Sequence, residues 1–373
     1  MIEHIEIEGF KSLEKVSLDL GPLNIFVGTN ASGKTNFLEA LRVLQGISYG
    51  YTVDEIFNGK PQGAGNVAWE GVRGGSKFAY FINPWTKRDD VRFRAVVGTG
   101  TDRAEYFAHI WPRVGTATQI VTAGGKSVTL DQPGRAGNFD IVYPTVHDPL
   151  LAQAIRSIRE QLRDVQWLLP SATVQREYSA ASRAVRMGDH GENFASLLKT
   201  ILSDKKLGPA YIAWLKELTP AELDTIEVLD GPAGDFTFAL RKAGIDFPAR
   251  VLSDGTLRFA AIAAAFFQPD PPKRLLLEEI EDGLHPTRLQ LLVELLKTQT
   301  GQGVEQVIAT THSPYTIAWL REEDFRYVFL CAKNEETGAT SITPLSQIPR
   351  LMELVRHGSI ADLFVQGWLE TAV

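Results

Sequence analysis

The segment that most restricts the fold lies near the N-terminus. An apolar run from Pro22 to Val27 halts at Gly28, and after Lys34 the apolar residues Phe37, Leu38, Leu41 and Leu44 recur at helical spacing. Between them Gly28-Thr29-Asn30-Ala31-Ser32-Gly33-Lys34-Thr35 fits G-x-x-x-x-G-K-[ST] in the strand–loop–helix setting that this pattern requires. Glycines let backbone N–H groups curl around phosphates. A lysine at position 34 reaches the terminal phosphates, and the Thr35 hydroxyl meets Mg²⁺ at the helix N-terminus. The candidate phosphate-binding residues are therefore Gly28, Asn30, Ala31, Ser32, Gly33, Lys34, Thr35 and Asn36.

Three further segments carry chemistry. Leu275-Leu276-Leu277 is a buried-strand pattern ending in Glu278 and Glu279, which suits delivery of one acid to a metal and a second to an attacking water at the carboxyl edge of a parallel sheet. An exposed acidic helix start is the alternative. Leu252-Ser253-Asp254-Gly255-Thr256 precedes a long apolar stretch, where Ser253 or Asp254 could equally be a plain helix cap. Thr310-Thr311-His312-Ser313-Pro314 follows another short strand, and a histidine there is structural as readily as catalytic.

Along the chain, Ile2, Ile5 and Ile7 alternate with glutamates, and Leu13, Val16, Leu18 and Leu20 suggest a second strand. From about Asn66 to Val142 short β-prone runs (VAWEGV, KFAYFI, VRFRAVVG, EYFAHIW, SVTL, FDIVY) between turn residues predict an antiparallel meander. A helix is predicted from Leu151 to Val165, and Phe194 to Leu229 reads as two more helices broken near Gly208-Pro209 and at Pro220. The polar, arginine-containing stretch Ser171 to Asn193 between them reads as a loop or lid. Strands at Leu275–Leu277, Val304–Thr310 and Tyr327–Cys331 alternate with helices, the mark of a parallel α/β sheet. A closing amphipathic helix or helix pair holds Leu351, Leu354, Val355, Ile360, Leu363 and Phe364. The expected division is residues 1–145, a helical insert at 146–230, and 231–373, without heptads for a long coiled coil.

Composition narrows the class. With 44% hydrophobic and 22% charged residues the chain can bury a sizeable core, and disorder is excluded. The apolar stretch Phe259 to Phe267 is too short to span a bilayer. MIEHIEIEGF does not read as a signal peptide, and a single cysteine, Cys331, fits a cytoplasmic protein without disulfides. A formal charge of -7 argues against a surface that is wholly a phosphate-binding field.

Taken as a set, IEIEGFKSL, GTNASGKT, LSDGT, LLLEEIEDGLHP and TTHSP resemble, in order and over nearly the whole chain, the ABC-type ATPase heads of the SMC, RecF and Rad50-like branch. The chain is similar in particular to compact bacterial AAA-family ATPases related to OLD proteins. The stretch MGDHGENFASLL also resembles their middle region, more faintly. The resemblance implies an α/β P-loop NTPase head with a mixed or parallel core sheet, an antiparallel β subdomain and a helical insert. It implies that Lys34 and Thr35 bind phosphate and Mg²⁺, Glu279 polarises the hydrolytic water, and His312 senses the γ-phosphate. Ser253, Asp254 and Gly255 would then act as the signature toward the ATP of a second subunit, and Asp282 in the D-loop would lie at that homodimer interface. Two departures stand out. Glu278 occupies the metal-side position where these proteins usually carry Asp, and Ile280 replaces the common Pro. For the Q-loop, Gln119 and Gln132 are both open.

The resemblance implies a switch that regulates or scaffolds a separate effector, such as a nuclease, in bacterial anti-phage defence. Residues 313–373 are too few for the nuclease domain of full-length OLD proteins. The alternative is a RecF-like repair ATPase gripping DNA through Arg156, Arg159, Arg163, Arg176, Arg183 and Arg186. A transporter subunit fits less well, since LSDGT departs from LSGGQ and a long insertion separates Thr35 from Ser253.

Overall fold

A computed structural model describes residues 1–63, 66–83, 85, 88–98, 103–130, 139, 145–218, 223–357 and 360–367. The chain divides into two compact units, Met1–Val165 with Glu322–Val373, and Gln166–Arg321.

The first unit begins with β1 (Ile2–Phe10), β2 (Leu13–Asp19) and β3 (Leu23–Val27). In β1 Ile5 and Ile7 are fully buried, as their alternation predicts, and Ile2, three residues before Ile5, is buried as well where the pairing shifts register between Ile2 and His4. The phosphate loop leads into α1 (Lys34–Ser48), followed by α2 (Val53–Asn58), which opens with a reciprocal capping box between Thr52 and Glu55. A small hairpin, β4 (Lys60–Gly63) and β5 (Asn66–Trp69), precedes the long strands β6 (Val91–Val97), β7 (Ala104–Trp111), β8 (Thr116–Ala123) and β9 (Lys126–Thr129). The antiparallel meander is thus real, but it does not stand alone. β6 pairs with β1, giving one antiparallel sheet in the order β2-β1-β6-β7-β8-β9.

The run KFAYFI departs from expectation. Ser76–Phe78 is a 3₁₀ turn, and only an isolated bridge joins Tyr80 to Phe10. Tyr80 and Phe81 are buried beside the end of β1, where the Lys11 N–H bonds the Ala79 carbonyl and the Phe81 N–H the Gly9 carbonyl outside any continuous ladder, so their apolarity reads the same while the backbone differs. Of FDIVY, all but Phe139 lies outside the described residues, as does Gln132. α3 (Pro149–Arg163) starts where Asp148 accepts the N–H groups of Leu150 and Leu151, with Pro149 at its first position. It packs on α1, and Gln45 of α1 donates to the carbonyl of Val165 at 2.6 Å.

The second unit runs through β10 (Val165–Leu168), α4 (Ala172–Gln175), α5 (Phe194–Ser203), α6 (Leu207–Leu218), β11 (Thr225–Asp230), β12 (Phe236–Lys242) and β13 (Ile245–Pro248). The predicted break at Gly208-Pro209 is displaced. Asp204 interrupts the helices and accepts the N–H groups of Lys206 and Leu207, so Gly208 and Pro209 fall in the first turn of α6, where a proline needs no N–H partner. Thr225–Asp230 is a strand, not a helix end, because it pairs along its length with β12. The remaining elements are α7 (Asp254–Phe267), β14 (Arg274–Leu277), α8 (Pro286–Gln299), β15 (Gln306–Thr311) and α9 (Pro314–Ala318). β14 and β15 are parallel and wholly buried, with strand order β10-β14-β15. α7 is apolar nearly all round, and its backbone carbonyl at Ala260 accepts the hydroxyl of Tyr211, which burial pushes well above the usual tyrosine range.

The chain then returns to the first unit with β16 (Val328–Lys333) and β17 (Thr340–Pro344), then the short helices α10 (Leu351–His357) and α11 (Ile360–Val365). β16 lies parallel to β3 and antiparallel to β17, so this sheet is mixed. Among the described residues no helix is long and apolar enough to cross a membrane.

Candidate functional site

In the first unit β3 delivers the phosphate loop and α1 leaves it. Two glycines are there because nothing larger fits. A Cβ on Gly28 would come within 2.3 Å of the Cys331 carbonyl oxygen, and one on Gly33 within 2.2 Å of Thr340 Oγ1. Gly33 also has φ +99°, and Ala31 takes the left-handed region at φ 65°. Lys34 is buried, and its ammonium arches back over the loop to donate to the carbonyls of Gly28 at 2.7 Å and Thr29 at 2.8 Å. α1 has neither a side-chain cap nor an acid in its first turn, so the positive end of the helix faces an anion without competition from either.

The sequence did not mark the residues that hold this loop. Thr340 of β17 donates through Oγ1 to the Ser32 carbonyl at 3.0 Å and shares a hydroxyl contact with Ser12 at 2.7 Å, and Asn36 donates to Ser12 at 2.7 Å. Asn36 therefore braces the loop's flank as well as opening the helix. Further along α1, the buried Glu39 accepts from Lys11 and from the Arg73 main-chain N–H at 3.0 Å. Burial pulls the Lys11 ammonium below its usual range, with Glu39 opposing that shift. Cys331, whose carbonyl crowds Gly28, has its thiol pushed up to about 12 by burial and is inert at ordinary pH. Gln119 sits in the antiparallel sheet, accepting the Tyr106 hydroxyl at 2.7 Å.

In the second unit β14 and β15 bring the other predicted residues together. Directly after β14, Glu279 adopts φ 49°, an uncommon backbone for a non-glycine residue. Thr310 of β15 holds the turn by accepting the Glu279 N–H on Oγ1 at 3.0 Å and the Ile280 N–H on its carbonyl at 3.1 Å. On the other flank Arg258 of α7 donates to the carbonyls of Glu278 at 2.7 Å and Glu279 at 2.9 Å, and lies 3.5 Å from the Asp282 carboxylate. Burial lowers the Arg258 pKa, while Asp282, Glu281, Glu279 and Glu278 act in the opposite direction.

The signature segment abuts this turn. Ser253 caps α7, accepting the Thr256 N–H at 3.2 Å, and a Cβ on Gly255 would sit 2.2 Å from the Gly283 carbonyl oxygen. Arg176, from the polar stretch after β10, bonds the Leu252 carbonyl at 2.8 Å and the Asp254 carboxylate. Sequence reading missed both Arg258 and Glu281. Glu281 accepts the His312 main-chain N–H at 2.5 Å, and the same carboxylate oxygen lies 2.8 Å from the ring Nδ1.

The residues present fit a nucleotide. The two glycines form a cradle that any side chain would fill, and the loop lysine is already placed over it. Among the described residues no group of three His, Cys, Asp or Glu could hold a metal by itself. Mg²⁺ carried on phosphates needs only one or two protein oxygens, and Thr35 in the first turn of α1 carries one.

Among solved structures, the SMC head bound to the C-winged helix domain of ScpA superposes with a TM-score of 0.60 at 16% identity, covering 94% of this chain and 99% of that one. The SMC head domain from Thermotoga maritima gives 0.50 at 16% identity over 92% and 98%. The fold is that of an SMC-type P-loop ATPase head, without a coiled coil among the described residues. Within that class, residues 103–318, more than half of the chain, match the family described as "AAA domain, putative AbiEii toxin, Type IV TA system", and the chain belongs to it. Residues 1–63 match the "AAA ATPase domain" family. An "ATP/GTP phosphatase" of Helicobacter pylori is 23% identical over 90% of this chain and 93% of that protein. The "DNA replication and repair protein RecF" of Lactobacillus acidophilus is 46% identical over 44 residues, so the chain spans only 12% of the length of that relative. The chain is thus similar to RecF locally and to ATPase heads throughout.

Proposed function

We propose that the protein binds ATP·Mg²⁺, hydrolyses it, and uses the bound γ-phosphate to hold two heads together as a switch for a separate effector, such as a nuclease, in bacterial anti-phage defence. The observation that carries this reading is the pair of constrained turns. A glycine cradle with its lysine already in place belongs to phosphate binding, and a glutamate strained to φ 49° and clamped from both flanks belongs to catalysis. In this reading Lys34 and Thr35 take the phosphates and Mg²⁺ with Glu278 in the metal's shell, Glu279 orients the water, and His312 contacts the γ-phosphate. Ser253, Asp254, Gly255 and Asp282 face the nucleotide of a second copy. Three of these four are exposed, Asp282 at 67% of its side chain. Bound Mg²⁺ would supply charge neutralisation for the transferred phosphoryl group.

The RecF-like alternative needs a free basic surface. Arg176 is engaged with Leu252 and Asp254, Arg186 with the Asp270 carbonyl at 3.0 Å, and Arg163 lies over the Tyr49 ring, which favours the switch reading. Steady-state ATP turnover with and without duplex DNA, using Glu279→Gln as the inactive reference, tests both. Slow turnover indifferent to DNA is expected, and strong stimulation by DNA would transfer the case to the alternative. Turnover retained by Glu279→Gln would remove Glu279 from the catalytic role.

A further inference from the structure

Glu281 is the one acid of the turn after β14 to which the proposed reaction gives no task. We infer that Glu281 is a positioning residue for His312, holding its main chain and turning the Nδ1 edge of the ring toward the carboxylate so that Nε2 is the nitrogen offered to the γ-phosphate. This rests on the reading of His312 as the residue that contacts that phosphate.

The geometry is specific. One oxygen, Glu281 Oε1, accepts the main-chain N–H of His312 at 2.5 Å and lies 2.8 Å from the ring Nδ1. An ionised carboxylate has no proton to offer, so the ring nitrogen turned toward it is the one expected to carry a proton. The bond fixes the backbone where β15 ends, and the close contact sets which edge of the ring faces the carboxylate. The carboxylate is interior at 9% side-chain exposure while the imidazole reaches outward at 44%. The other oxygen, Oε2, is buried and has no hydrogen-bond partner among the described residues.

Carboxylates that orient a metal-ligating histidine are worth about 10- to 100-fold in metal affinity or activity, which sets the order of magnitude for an oriented histidine here. Glu281→Ala should lower kcat by that order with KM little changed, and Glu281→Gln, which keeps an oxygen at Oε1, should recover most of the loss. In a His312→Ala background Glu281→Ala should cost nothing further, since its only route of action is gone. Additive losses in the double variant, or wild-type kcat in Glu281→Ala, would overturn the inference. If His312→Ala itself turns over normally, the reading of His312 falls and this inference with it; slow His312→Ala beside normal Glu281→Ala removes the positioning role alone. Should Glu281→Ala not fold, the ring nitrogens of ¹⁵N-histidine-labelled wild-type protein decide, with His312 assigned by its loss in His312→Ala. A protonated Nδ1 is expected, and a neutral ring protonated at Nε2 would refute the assignment.

Discussion

Glu279 shows how much of a site can be settled by one dihedral angle. A left-handed backbone costs a non-glycine residue about 1–2 kcal/mol, and here it is sustained by Thr310 on one side and Arg258 on the other. Glu279→Gly should therefore abolish ATP turnover while raising stability by up to about 1 kcal/mol, whereas Glu279→Gln should abolish turnover at unchanged stability. Paired thermal melts read the difference; a lower melting temperature for the glycine variant would mean the turn is not strained. Nothing in the order LLLEEIEDGLHP announces that angle, nor that Arg258, twenty residues earlier in sequence, would reach the carbonyls of Glu278 and Glu279. The identities of the acids were legible because a buried strand ending in carboxylates is a local pattern. Their clamps were not, because a hydrogen bond between distant segments leaves no periodicity.

At the scale of elements, the turn from β3 into α1 depends on β17. Gly33→Ala combines a left-handed backbone with a Cβ 2.2 Å from Thr340 Oγ1, and Thr340 cannot rotate aside without losing its bonds to Ser12 and Ser32. A loss of about 2–4 kcal/mol is expected, together with loss of nucleotide binding. Gly115→Ala is the control: φ is +78°, but a Cβ there meets nothing within 4 Å, so about 1–2 kcal/mol and unchanged binding are expected. Urea melts and titration with a fluorescent ATP analogue separate the two; equal losses would mean Thr340 yields easily. The strand–loop–helix order was readable because alternation and helical spacing switch sharply at Gly28 and Lys34. KFAYFI and Thr225–Asp230 were misread for the same reason in reverse. A short apolar run reports burial, and whether it is buried as ladder, turn or helix is decided by what it packs against.

For the whole molecule, the central question is whether the head works alone. The antiparallel sheet uniting β1 and β2 with β6–β9 was not readable, because residues 84 (Glu8 and Arg92) to 95 (Ile2 and Val97) positions apart pair only once the chain has returned. The proposed pairing of heads makes the exposed Ser253 a contact with a second copy's nucleotide. Ser253→Arg should then prevent ATP-dependent dimerisation. The structure complicates that variant, since Ser253 also caps α7 through the Thr256 N–H, and losing a serine cap costs about 1 kcal/mol. Ser253→Ala removes the cap and the hydroxyl without adding bulk, so it separates their loss from a clash at the interface. In light scattering with ATP in a Glu279→Gln background, the dimer should weaken in Ser253→Ala and vanish in Ser253→Arg, while both still bind the fluorescent nucleotide as monomers. Loss of nucleotide binding by Ser253→Arg would place the signature on its own subunit's ATP, and a dimer surviving in Ser253→Arg would mean that the heads do not close across this surface.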